Sequence, residues 1–119
     1  MNQALDLSPG LAMFPVAHGS ADFSLEVLRR LRREAFDCIA LALPASFADP
    51  VERGVELLPR ISLVLQREGG LEESYNCVPV DPSQPMIAAA RHAIETGIDL
   101  AYVDLEVEAY EPYGQAMPD

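Results

Sequence analysis

The chain has 119 residues, half of them hydrophobic, a length that suits one domain with a substantial core. Its formal net charge of −11 argues against a nucleic-acid partner, because a phosphate backbone needs a basic face to displace its counterions. Pro15, His18, Pro44 and Pro50 punctuate the richest apolar stretches. No window therefore approaches the roughly 20 uninterrupted apolar residues of a membrane span.

The opening segment, MNQALDLSPG, lacks the basic start and apolar core of a secretory signal. Leu11 to Ala17 reads as a first buried strand, with Pro15 confining part of it to an edge or an irregular position. It runs into His18-Gly19-Ser20, and Leu25, Val27, Leu28, Leu31 and Ala35 then recur at the spacing of one helical face. Ser20 or Asp22 can cap that helix. Asp37 to Leu43 is a continuous apolar run, short for a helix and suited to a strand covered on both faces.

Asp49 is placed to cap a second helix with Pro50 at its first position, and Pro59 predicts a kink or two short helices between Pro50 and Gln66. Gly69-Gly70 ends that segment in a loop. Tyr75 to Val80 is a third strand. Ser83 as cap, Pro85 in the first turn and Gly97 as stop frame a third helix. On that helix His92 falls opposite the Ile87, Ala90, Ile94 stripe and faces solvent. Asp99 to Val107 is a fourth strand. The expected organisation is a single α/β domain over residues 1–107 and a polar acidic tail over 108–119. From Asp99 to the end there are six acids and no base.

Strands alternating with helices predict an α/β fold, a three-layer domain with a mainly parallel sheet of about four strands flanked by helices. Cys38 and Cys77 lie in apolar runs without metal or redox spacing, so they read as buried, reduced thiols of a cytoplasmic protein. All eight basic residues are arginine, and four of them fall between Arg29 and Arg33, a solvated helix face or a docking site for an anionic partner.

In a parallel sheet, binding groups collect at the carboxyl ends of the strands. That places His18, Gly19 and Ser20 after strand one, Ser46 after strand two, Asp81 after strand three, and Asp104 and Glu106 near the end of strand four. Gly19 lets the chain turn sharply or approach a ligand closely. Each residue also has a plainer use. His18 can donate to a carbonyl, Ser20 and Ser46 can cap, and Asp22 can favour a helix N-terminus. Asp81 before Pro82 can shape a turn, and Asp104 can face out from an edge strand.

The stretches FPVAHGSADF, LRRLRREAFDCIALALPASFADP and VPVDPSQPMIAAARHAIETGIDLAYVDLE resemble the N-terminal half of the erythromycin esterase / TraB / ChaN-like superfamily, over roughly Phe14 to Glu106. The resemblance implies an α/β fold and hydrolase chemistry, metal-dependent in some members, with the strand-one histidine activating water or binding metal. His18 matches that position, and Asp22, Asp81 and Asp104 are its candidate catalytic auxiliaries. Gly19, Ser20 and Ser46 are candidate ligand-binding residues. The acid that the family implies near the end of strand two would fall at or beside Ala42, where none is present. Family members also run well beyond 119 residues. The chain is therefore expected to be a fragment of a larger protein or a shortened, non-catalytic relative, with a divalent metal not favoured as cofactor and the small-molecule substrate open.

Two other readings stand beside it. VAHGS also resembles the opening of small sirohydrochlorin-type metal chelatases, in which the histidine serves the tetrapyrrole. Those carry a second histidine near a later strand end, and only His92 is available here. The third reading is an acidic α/β interaction module. Its uncovered sheet edge would be satisfied by a homodimer or by docking to a larger polypeptide.

Overall fold

The computed structural model describes residues 5–17, 19–67 and 75–106. Among them the order is β1 (Leu5–Ser8), β2 (Leu11–Met13), α1 (Ala21–Arg33), β3 (Cys38–Pro44), a 3-10 turn (Ala45–Phe47), α2 (Ala48–Leu57), β4 (Ser62–Arg67), β5 (Tyr75–Val80), α3 (Pro85–Thr96) and β6 (Asp99–Asp104). No helix among the described residues is long and apolar enough to cross a membrane.

Local chemistry accounts for several boundaries. Ser20 takes extended backbone and its Oγ accepts the Phe23 amide at 3.4 Å, so the predicted cap opens α1. Gly97 closes α3 in the left-handed conformation, φ 77°, that glycine adopts without a Cβ penalty. Pro85 stands in the first turn of α3, where its missing N–H costs nothing, but the N-cap is Gln84 rather than Ser83. The second helix starts directly from the 3-10 turn, with Phe47 instead of Asp49 at its N-cap and no side-chain cap bond.

The strands pair as three two-stranded ladders. β1 and β2 are antiparallel, β3 and β6 parallel, and β4 and β5 antiparallel. The molecule is thus a mixed α/β fold with one parallel pair. The expected four-strand parallel sheet is reached only in β3 and β6. The reason lies in the connections. β3 and β6 are joined through α2, β4, β5 and α3, whereas only positions 68–74 separate β4 from β5. A parallel crossover needs a dozen residues or more, so the short link imposes an antiparallel pair.

Three elements differ from their sequence reading. Ser62–Arg67 is a strand, not the continuation of a helix from Pro50 to Gln66, because α2 stops at Leu57. The predicted first strand, Leu11 to Ala17, keeps its ladder only over Leu11–Met13, and β1 supplies the partner. β6 ends at Asp104, and residues 107–119, including the predicted tail, lie outside the described residues.

One core joins the elements. Leu41 and Leu43 of β3, Val64 of β4 and Val80 of β5 meet Val51 and Val55 of α2 and Ile87 of α3, with Phe47 wholly enclosed. α2 packs on β4 and β5, α3 on β3 and β6, and α1 lies against α3. Alanines 88, 89, 90 and 93 are all buried and let helices come close.

The helices cover one face of the strands. Along β3 burial alternates: Leu41 and Leu43 point to the helices while Cys38, Ala40 and Ala42 are exposed. On β4, Val64 is buried while Leu63 and Leu65 are each 60% exposed. The predicted covering of strand two on both faces, and with it the third layer, is not found among the described residues. The cysteines follow from this. Cys38 and Cys77 are free and exposed, not buried, because the two-residue strand period turns both away from the helices.

Candidate functional site

The strand ends carry two polar groups, and they lie apart. The first gathers where β3, β4 and β6 finish. The 3-10 turn after β3 presents the Ser46 amide to Glu106 Oε2 at 3.0 Å, and the Ser46 hydroxyl donates to Glu106 Oε1 at 2.5 Å. Gln66 of β4 donates through Nε2 to Ser46 Oγ at 2.9 Å. Residues 60 positions apart, Ser46 and Glu106, are thereby tied into one knot. The serine is fully engaged: its amide, its hydroxyl proton and an oxygen lone pair all have partners.

The second group forms where β5 leads into α3. Asp81 Oδ1 accepts the Ser83 amide at 2.8 Å, and its carbonyl accepts the Gln84 amide at 2.9 Å. Asp81 therefore shapes the turn, as Asx residues do. Gln84 Oε1 accepts the Gly19 amide at 2.9 Å, so the turn after the first strand is latched to the start of α3. Gly19 has φ 75°, which explains glycine there, and an added Cβ would meet nothing closer than Gln84 Nε2 at 3.8 Å. Ser20 is spent on the α1 cap. Asp22 is exposed in the first turn of α1. His18 lies outside the described residues, between the exposed Ala17 and Gly19.

The β4–β5 register separates the two groups. Val80, next to Asp81, pairs with Ser62 at the start of β4, while Gln66 sits four residues further along. At about 3.3 Å per residue the groups are roughly 13 Å or more apart. Asp104 belongs to the first end, opposite Pro44, but among the described residues its carboxylate accepts only the amide of Leu105, at 2.8 Å. Ala42, where the family resemblance implies an acid, is exposed on the uncovered face of β3. Among the described residues no histidine bonds to Ser46, and no cluster of three or more His, Cys, Asp or Glu side chains is poised to hold a metal.

A third polar contact lies under the helices. Tyr102 of β6 donates its hydroxyl to Glu52 Oε2 of α2 at 3.0 Å. Burial, first of all, then that bond and the charges of Glu52 and Asp49 push the phenol well above its usual range, so it remains a donor. Gln66 and Glu52 were both invisible as partners in the sequence. Gln66 falls at the end of a stretch whose pattern predicts helix, and Glu52 lies 50 positions from the tyrosine it meets.

Chemically, the strand-end knot sets the Ser46 hydroxyl against the Glu106 carboxylate, a group able to take its proton, but among the described residues no further side chain orients that carboxylate. Compared with known proteins, the chain matches no family model, no curated protein and no solved structure.

Proposed function

We propose that this chain is a non-catalytic α/β interaction layer, a degenerate relative of the esterase/TraB-like hydrolases that works by docking its bare strand face against another polypeptide surface. The observation that carries the reading is that face itself. Leu63 and Leu65 at 60% exposure and Val103 at 64% project from β4 and β6 on the side the helices leave open, with Cys38, Ala40 and Ala42 exposed along β3. Exposed apolar patches of this kind mark interaction sites. Docking would supply the missing third layer, the arrangement that the alternation of strands and helices predicts. Alanine at position 42, and a Glu106 carboxylate whose bonds among the described residues all go to Ser46, support the loss of hydrolysis.

The test has two arms. A panel of p-nitrophenyl esters, lactones and short peptides, with and without manganese, cobalt or zinc, should give no turnover above buffer. Turnover that disappears in His18→Ala or Ser46→Ala would overturn the non-catalytic reading. In the second arm, the dilute chain should enhance the fluorescence of an apolar dye, and a Leu63→Ser, Leu65→Ser variant should lose most of that signal. An unchanged signal would remove the strand face as the docking surface.

A further inference from the structure

Resting on that docking reading, we propose that the occupant of the strand face is a second copy of this chain, related by a two-fold axis running along the strands. Three observations converge. The first is exposure: Ile61, Leu63, Leu65 and Val103 are 53%, 60%, 60% and 64% exposed on the side the helices leave open, an apolar patch that a partner would bury.

The second observation is relief. Isologous packing requires a surface that fits itself, each residue meeting its counterpart's neighbour reciprocally. β3 offers a shallow strip, Cys38, Ala40 and Ala42, with Ala101 of β6 in register beside Ala40. β4 offers a ridge, Ile61, Leu63 and Leu65, each more than half exposed. The strip and the ridge turn away from the same core, and the bond between Ser46 and Gln66 ties the ends of their strands together. Rotation about an axis along the strands lays the ridge of each copy over the strip of the other. Sheets pack face to face in this way at about 10 Å, their strands within about 30°.

The third observation is charge. The centre of the face carries none, and its margins carry opposite signs at one end of the strands. Asp37 and Asp99 flank Cys38 at the start of β3 and β6, while Arg60 stands just before Ile61 at the start of β4, all three exposed. The same rotation brings Arg60 of one copy toward the acids of the other, twice. The rest of the surface repels, since each copy carries a net charge of −11. Salt should therefore strengthen the pairing by screening that repulsion. A basic protein partner would show the opposite dependence.

The experiment is sedimentation velocity of the full chain across the micromolar range at low and moderate salt, with maleimide labelling of Cys38 and Cys77 on the same samples. The expected result is a dimer that tightens with salt and whose two thiols label more slowly as concentration rises. Leu63→Ser with Leu65→Ser should weaken association by a hundredfold or more and restore fast labelling. Arg60→Glu, at an exposed position before the start of β4, should weaken it severalfold and guards against misfolding of the double variant. A wild-type monomer at all concentrations with fast thiols overturns the second copy as occupant, while the docking reading stands because the face is bare. A monomer with slow thiols overturns both, because the chain then covers the face itself. A dimer that persists in the double variant and in Arg60→Glu places the interface elsewhere and overturns the proposal.

Discussion

Gly54→Ala is the sharpest probe of how α2 sits on the strands. In an ordinary helix the change stabilises by about 1 kcal/mol, because alanine is the better helix former. Here a Cβ would lie 2.8 Å and 3.0 Å from the two Cγ atoms of Val80 and 3.0 Å from Ser62 Oγ. Carbon pairs are comfortable near 3.5–4.0 Å, so the valine must move. It has no room, being fully buried in the core between β4 and the helices. Overpacking of this kind costs about 1–3 kcal/mol, more than the helical gain in most of that range. We expect a net loss of about 1 kcal/mol, or a fall in Tm of roughly 5 °C. The decisive measurement is a double-mutant cycle by urea and thermal denaturation at one fixed protein concentration, since association raises apparent stability. In a Val80→Ala background the obstructing methyls are gone, and Gly54→Ala should turn neutral or stabilising, a coupling of about 1–2 kcal/mol. If Gly54→Ala stabilises the wild-type background as much as it does the Val80→Ala background, the close seating of α2 on β4 and β5 is wrong.

Two further substitutions read other contacts. Ser24 is 4% exposed and its hydroxyl is buried without a partner. Ser24→Ala removes that orphan and improves helix propensity, so urea denaturation should show a gain of about 1 kcal/mol; a comparable loss would mean the hydroxyl is bonded. Tyr102 keeps its proton in the folded state to higher pH than in the unfolded chain, where a phenol titrates near its ordinary 10.0. The unfolded state thus binds fewer protons above that pH, and stability must fall as pH rises beyond it. Tyr102→Phe should flatten this alkaline decline in melting temperature, and an unchanged slope would refute the link to Glu52.

What could be read from the sequence was whatever a few neighbouring residues decide. Ser20 caps α1 and Gly97 stops α3 because each acts on backbone within a turn of itself. The apolar run of β3 was legible as a strand, but not which side would be covered, since Cys38, Ala40 and Ala42 are as apolar as the residues that face the core. β4 was missed for a related reason. Leu63, Val64 and Leu65 are apolar on both faces, so the alternation that signals a half-covered strand is absent. The polar groupings were least legible. Ser46 is conspicuous in the sequence because it follows a strand, but its engagement by Glu106 and Gln66 depends on three strands ending together. No spacing in the chain announces that. Asp81 and Gly19 were legible as turn residues, and Gln84, which joins their turns, carries no local signature.

The parallel pairing of β3 with β6 also governs the order in which the molecule can assemble. Cys38 pairs with Asp99, Ile39 with Leu100 and Ala40 with Ala101, each bridging sixty-one positions. Such contacts yield nothing until the intervening chain has been ordered, so they slow folding far more than they affect final stability. During synthesis, β3 leaves the ribosome long before its partner exists. Until β6 arrives, β3 holds an open edge as well as an open face, and the nascent chain is most prone to aggregation in that interval.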